Sequence, residues 1–333
     1  MSTNNLISSK SLTFQESCDL VQEVKSEVMK VIIGQERVIE LFIIGVISNG
    51  HILIEGAPGL AKTMLVRALS IILDCRFKRV QFTPDLLPSD ILGINMFDQQ
   101  NNSFHVEKGP IFTNLLLADE INRASSKVQS ALLEGMAERE VTIGSQNLKL
   151  NKPFLVFATE NPVESLGTYA LPQAQLDRFL LKIEIDYPTS LEEEDIIDLS
   201  LSDNFKKESE LKRLFTPEAI LVTQNYVKEI YLDNTLKKFI VKIIDATRYP
   251  KKYNLKLGEY IEWGVGPRGT IGLILAAKAN AFFMKRNYVI DSDIFDVAFE
   301  VLRHRLLLNY EGQAKKIKPE HIVAEILSVI KIH

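Results

Sequence analysis

The chain has 333 residues, enough for one large domain or two of ordinary size. Hydrophobic residues at 46% fit a folded protein with a real core, and a formal charge of -4 argues against a general nucleic-acid binder, which shows a basic surplus. Two well-separated cysteines, Cys18 and Cys75, exclude a disulfide framework and a cysteine-rich metal site.

In chain order, the polar start Met1 to Ser11 lacks the apolar core of a signal peptide. Leu20, Val21, Val24 and Val28 recur at helical spacing within residues 16–32. The apolar run Leu41 to Ile47 is far too short to span a bilayer, so a soluble, cytoplasmic protein is expected. His51 to Ile54 predicts a buried strand ending at Gly56, and residues 62–73 predict a helix with Leu65, Val66, Leu69, Ile72 and Leu73 on one face. Short apolar runs at Arg79–Phe82, Leu115–Ala118 and Phe154–Ala158 predict central parallel strands, and the alternation of strand and helix implies a three-layer α/β domain. The pattern changes near Tyr187-Pro188. Beyond it the chain reads as helical: Thr216-Pro217 is a helix start, Asp291 is the expected cap of a later helix, and Ile322 to Ile330 forms a last amphipathic segment. The expected division is 1–187 and 188–333.

Gly56-Ala57-Pro58-Gly59-Leu60-Ala61-Lys62-Thr63 has the phosphate-loop spacing, preceded by a predicted strand and followed by a predicted helix. Small residues let backbone N–H groups converge on phosphate oxygens, and the helix N-terminus adds positive potential. Lys62 supplies a point charge to the β- and γ-phosphates, and the Thr63 hydroxyl can ligate Mg²⁺. Met64 follows the loop and is assigned to the same site. Ala61 stands where glycine is common, and a methyl group there requires a negative φ.

Leu115 to Ala118 runs into Asp119-Glu120. Adjacent carboxylates at the end of a buried strand are costly unless they have a task, and open α/β sheets place ligands at that edge. Asp119 is assigned to Mg²⁺, through water, and Glu120 to polarising the attacking water. A second strand ends Thr159-Glu160-Asn161-Pro162, and the Asn161 amide is the candidate to reach the γ-phosphate or the water.

With these residues in hand, the chain resembles the AAA+ ATPases and, within them, the MoxR family. The resemblance rests on the phosphate loop with Ala61, on residues 81–93, Gly109 to Phe112, Asp119 to Ala124, Leu166 to Tyr169, Leu171-Pro172, Gln175 to Phe179, Gly266-Pro267-Arg268 and Val301 to Arg305. It implies an α/β AAA+ three-layer core with a parallel sheet, a smaller all-helical lid, and ATP with Mg²⁺ as cofactor. It implies that Gly34 and Gln35, after Ile33, line the adenine pocket and that Asn161 is the first sensor. Arg178 matches the arginine finger, which acts on a neighbouring subunit in a ring, a hexamer being expected. Arg268 matches the second sensor, expected to touch its own chain's nucleotide. Residues 90–112 resemble a pore-facing insert and 140–152 a pore-facing hairpin. Two departures stand out: Glu160 where Gln is usual, and Gly266 and Gly269 around Arg268 where Ser and Ala are commoner.

A guanidinium stays charged and binds phosphate bidentately, which suits Arg178 and Arg268 to these roles, with a surface ion pair to Asp177 or Glu184 as the plainer role of Arg178. Arg123 is a candidate contact to the next subunit. The resemblance implies chaperone-like remodelling or maturation of partner proteins, including partners with a von Willebrand factor A domain; a nucleic-acid motor or loader on the same engine is the alternative. No histidine pair has metal spacing, Glu192 to Asp195 reads as a solvated first helical turn, and His304 and Trp263 are expected to pack in the lid.

Overall fold

In the computed structural model of the chain, residues 12–161, 169–201 and 210–332 are described. Helix α1 (Phe14–Val28) opens on a capping box in which Thr13 Oγ1 accepts from Glu16 N and the Glu16 carboxylate accepts from Thr13 N. Its buried face includes Leu20, Val21, Val24 and Val28, as the spacing predicts. Helix α2 (Glu36–Ile47) carries the apolar run 41–47 and is buried along that whole stretch.

The core continues through β1 (Ile52–Gly56), α3 (Lys62–Ile72), β2 (Phe77–Gln81), α4 (Pro88–Leu92), β3 (Gly93–Asp98) and β4 (Ser103–Lys108). It then runs through β5 (Leu115–Asp119), α5 (Ser126–Glu138), β6 (Glu140–Ile143), β7 (Gln146–Lys149), β8 (Leu155–Glu160), α6 (Gln173–Leu176), β9 (Leu181–Ile185) and α7 (Ser190–Leu201). Five strands form one parallel sheet in the order β2-β5-β8-β1-β9. Both faces of β1 are covered: Ile52 and Ile54 face the layer of α1, α2 and α3, and Leu53 faces the layer of α5. Each of these side chains, fully removed from water, contributes about 1.5–3 kcal/mol to holding the strand in place. Strand β9 shows alternation rather than an apolar run, with Leu181, Ile183 and Ile185 buried and Lys182 and Glu184 on the other face.

Residues 90–112 form the end of α4 and the hairpin β3–β4, and residues 140–149 form the hairpin β6–β7. Phe97 and Phe104 pair across the first hairpin with ring centroids 5.1 Å apart, and both are exposed.

The second half holds α8 (Pro217–Glu229), α9 (Asn234–Arg248), β10 (Ile261–Trp263), α10 (Pro267–Phe283), α11 (Asp291–Leu302), β11 (Leu307–Leu308), α12 (Tyr310–Ala314) and α13 (Pro319–Val329). Among the described residues it is helical apart from the antiparallel ribbon β10–β11, short turns and a single parallel bridge between Tyr231 and Tyr288. Thr216 caps α8 by accepting from Ala219 N, as expected. The cap of α11 differs: Asp291 is the first helical residue, and the fully buried Asp293 carboxylate accepts from Ile290 N at 2.8 Å. Asp293 is chosen because it also pairs with Arg286 and Asn280, which a residue at 291 does not. Trp263, expected to pack, is 68% exposed on the ribbon. The second-half helices share one apolar cluster with α1, α2 and α3.

Candidate functional site

Parallel strands fix what lies together. Everything that follows a strand gathers at one edge of the sheet, and everything that precedes one gathers at the other. At the first edge, a cleft of about 410 Å³ is lined by Pro58 to Met64, Arg79, Gln81, Asp119, Glu120, Thr159 and Asn161. Thus the loop after β1, the acidic pair ending β5 and the amide after β8 come together, at the point where the strand order reverses.

Gly56 ends β1 against β9, where a Cβ would meet Ile185 O at 2.8 Å. Gly59 takes φ +87° in the loop. The expectation that Ala61 has a negative φ is overturned: its φ is +52°, left-handed, at the N-cap of α3. The turn into the helix needs that conformation, and a residue with a Cβ adopts it at a cost of about 1–2 kcal/mol. Lys62 folds back to donate from Nζ to Gly56 O at 2.6 Å. Burial pulls its ammonium below the usual lysine range, while Asp119, Glu120 and Glu55 act in the opposite direction.

The acidic pair is held by three residues that the sequence alone did not single out. Thr159, 1% exposed, donates to Asp119 Oδ1 at 2.6 Å and accepts from Glu120 N at 2.8 Å. Arg79 binds Asp119 Oδ2 through Nη2 at 2.6 Å and Nε at 3.0 Å. Gln81 donates to Glu120 Oε2 at 2.7 Å and accepts from Arg79 at 2.9 Å. The signal was present in β2, where Arg79 and Gln81 alternate onto one face of the strand beside the acidic one. Arg123, proposed as a contact to the next subunit, donates to Glu120 Oε2 of its own chain at 3.0 Å. Glu120 itself is left-handed, with φ +55°.

At the opposite edge, a cleft of about 290 Å³ is lined by residues including Asn49, Gly50, His51, Asp177, Arg178, Arg268 and Arg305. Arg178 precedes β9, as Asn49 to His51 precede β1, so Arg178 and the phosphate loop of one chain occupy opposite edges. Arg178 pairs with neither Asp177 nor Glu184: its Nη1 donates to Leu133 O at 2.5 Å, while Asp177 binds Arg305 and Glu184 binds Arg303. Arg268, expected to touch its own chain's nucleotide, does not line the phosphate-loop cleft. Helix α10 begins beside Asp177, and Arg268 lies 4.0 Å from that carboxylate in the cleft of Arg178, away from the phosphate loop.

Gly34 and Gln35 do not line the phosphate cleft. Both are left-handed, at φ +64° and +52°. The Glu192 carboxylate lies over Gly34 and accepts from Gln35 N at 3.4 Å, which caps α2 from α7. Glu192 is therefore more than a solvated first-turn acid; hydrogen bonds from Thr189 hold it below the usual carboxylate range. His304 is buried, with Nε2 3.0 Å from Phe179 O, at the seam with the core rather than inside the lid. Leu166 to Thr168 lie outside the described residues.

A family model described as "ATPase family associated with various cellular activities (AAA)" matches residues 51–181, and one described as "AAA lid domain" matches residues 257–326. The chain is 40% identical over 92% of its length to "Chaperone MoxR1" of Mycobacterium tuberculosis, covering 80% of that protein. It is 41% identical over 96% of its length to the protein YeaC of Bacillus subtilis, covering 98% of it, and 30% identical over 90% of its length to "Protein MoxR" of Paracoccus denitrificans, covering 92% of it. A crystal structure of a protein from Cytophaga hutchinsonii superposes with a TM-score of 0.89 at 43% identity, covering 96% of this chain and 97% of that one.

Proposed function

Because the chain belongs to the MoxR family of AAA+ ATPases, we propose that it hydrolyses ATP in the cleft at Pro58–Met64 and uses the cycle to remodel partner proteins. The observation that carries the reading is the convergence of Lys62, Thr63, Asp119, Glu120 and Asn161 on that one cleft. The loop amides and Lys62 hold the β- and γ-phosphates. Glu120 orients the attacking water and takes up its proton; Asn161 holds the water or the γ-phosphate oxygen in line. The Thr63 hydroxyl and Asp119 form an all-oxygen pair suited to Mg²⁺, with Asp119 acting through water because Thr159 and Arg79 already bind its two oxygens. The ion neutralises charge on the phosphate oxygens when bound.

Arg178 and Arg268 serve the nucleotide of a neighbouring copy. Five-residue parallel strands separate the two edges by roughly 17 Å, so a chain cannot bring its own arginines to its own loop. Head-to-tail packing of copies into a closed ring does so, and a hexamer is the size we propose. The partner role is drawn from the relative named a chaperone; a von Willebrand factor A domain partner and a cytoplasmic location belong to the same proposal. No described helix is long and apolar enough to cross a membrane.

Glu120→Gln tests the site. The variant keeps its shape and its affinity for ATP but loses 100-fold or more in turnover, in the range expected when a positioned base is removed. Hydrolysis at the wild-type rate would reject Glu120 as the base, and absence of ATP binding to the wild-type protein would reject the site.

A further inference from the structure

We propose that Arg305 is the positioning residue for Arg178: it fixes the backbone on both sides of the finger and joins it to the helix that carries Arg268. The inference rests on the reading of Arg178 as a residue that serves a neighbouring copy.

Arg305 is 5% exposed, in the short turn after α11. Its Nε donates to Asp177 Oδ1 at 2.8 Å. Nη2 donates to Phe179 O at 2.5 Å and Asp177 O at 3.4 Å, and Nη1 to Leu180 O at 3.1 Å and to Val301 O of α11. One guanidinium therefore holds residues 177, 179 and 180 and leaves residue 178 between them. The neighbouring His304 adds a contact to Phe179 O, and Gln173 Nε2 reaches back to His304 O at 2.7 Å. The backbone carbonyls around Arg178 are thus bound by the second half of the chain, while Leu180 N donates to His51 O and Arg178 Nη1 to Leu133 O of the first half.

Helix α10 joins the same unit. The Asp177 carboxylate held by Arg305 is the one that Arg268 faces at 4.0 Å. The Arg305 stem passes Gly269, where an added Cβ would lie 3.0 Å from Arg305 Cδ and overlap Val265. That contact gives a packing reason for glycine at 269, beside Arg268. Arg305 therefore links the start of α10 to the backbone on both sides of Arg178. Lysine cannot replace this geometry, because its three donors radiate from one nitrogen whereas Arg305 reaches five acceptors from three.

The experiment compares Arg305→Lys, which keeps the charge, and Asp177→Asn, which keeps the shape, with Arg178→Ala as reference. Each is assayed alone and mixed in varying ratio with Lys62→Ala subunits, which keep intact arginines but a disabled phosphate loop. We expect Arg305→Lys to bind a fluorescent ATP analogue within about 2-fold of wild type and to lose at least 10-fold in kcat. We expect mixing to restore turnover, with a maximum at an intermediate ratio, as it does for Arg178→Ala. Wild-type kcat in Arg305→Lys and Asp177→Asn overturns the proposal. So does loss of nucleotide binding in both, which would make Arg305 a support of its own chain's site. Rescue of Arg178→Ala without rescue of the Arg305 and Asp177 variants overturns the positioning role alone. Failure of every mixture, Arg178→Ala included, removes instead the shared-site reading beneath it.

Discussion

Thr159 offers the sharpest test of how the acidic pair is held. Thr159→Val replaces a hydroxyl by a methyl group of nearly the same size, so packing at this 1% exposed position is preserved. Two hydrogen bonds disappear together. The Asp119 carboxylate loses a donor at 2.6 Å, and Glu120 N–H loses its acceptor at 2.8 Å. A hydrogen bond to a charged group contributes about 1.5–3 kcal/mol, and a buried donor left without a partner costs about 1–3 kcal/mol. Asp119 keeps Arg79, and part of the Glu120 amide cost is relieved by water entering the cleft, so the expected loss is about 2–4 kcal/mol. Urea unfolding at pH 7.5 measures it. Thr159→Ser restores the hydroxyl and recovers most of the stability. Turnover should fall at least 10-fold in Thr159→Val, because Glu120 sits in a left-handed conformation that its amide contact helps to hold. Nucleotide affinity, set by the loop, should change little. A variant within about 0.5 kcal/mol of wild type with unchanged kcat would refute the claim that Thr159 organises the pair.

Two further expectations follow from burial. His51 accepts from Val156 N at Nδ1 and lies 3.3 Å from Met136 O at Nε2, an arrangement that suits the neutral ring. Burial first, then the charge of Arg139, lowers it from 6.5 to about 3. Below pH 6.5 the unfolded chain gains a proton that the folded one refuses, so stability falls as the pH drops from about 6.5 towards 3, by up to about 1.4 kcal/mol per unit. His51→Gln should lose about 1 kcal/mol less than wild type between pH 6.5 and 5.5 in urea unfolding; identical pH dependence would contradict the assignment. Cys18 and Cys75 are buried, which pushes their thiols up to about 11 and about 12, with Asp19 and Asp74 adding to the effect. At pH 8 alkylation of the native protein should run at least 100-fold slower than in denaturant; rapid native labelling of either would place it nearer the surface.

The parts of the fold that were legible from sequence are those where burial imposes one pattern. Strands β1, β5 and β8 are apolar because both faces are covered, and α3 shows its period because one face packs on them. Strand β9 was not legible because an edge strand with Lys182 and Glu184 on one face shows no apolar run. The phosphate loop, Asp119, Glu120 and Asn161 were assigned from local pattern and do share a cleft. Arg79 and Thr159 were not assigned, because a residue that holds another across a sheet depends on register, which local composition does not reveal. The placement of Arg268 is not legible for the same reason at larger scale: which edge of the core a lid helix starts from is a tertiary fact. The conformation of Ala61 is not legible from steric preference alone, because the turn into α3 demands a left-handed residue there.

That demand also explains why the cleft can be both strained and well ordered. Ala61 and Glu120, with side chains that disfavour it, are held at positive φ on the two sides where phosphate and water would lie. Each conformation costs about 1–2 kcal/mol and persists only where its surroundings over-determine it. Here they do. Ala61 is fixed between β1 and α3, whose Leu65, Val66 and Leu69 are at most 1% exposed. Glu120 is fixed by β5, whose apolar residues Leu115 to Ala118 are fully buried, and by the hydroxyl of Thr159. The sheet interior thus holds two backbone turns in place, and those turns aim amides and a carboxylate into one cleft before any nucleotide enters it. At the other edge the backbone around Arg178 is held from the helical half by Arg305, while the Arg178 side chain donates to Leu133 O of the core. The loop edge is set by the core alone, and the arginine edge by the core and the helical half together.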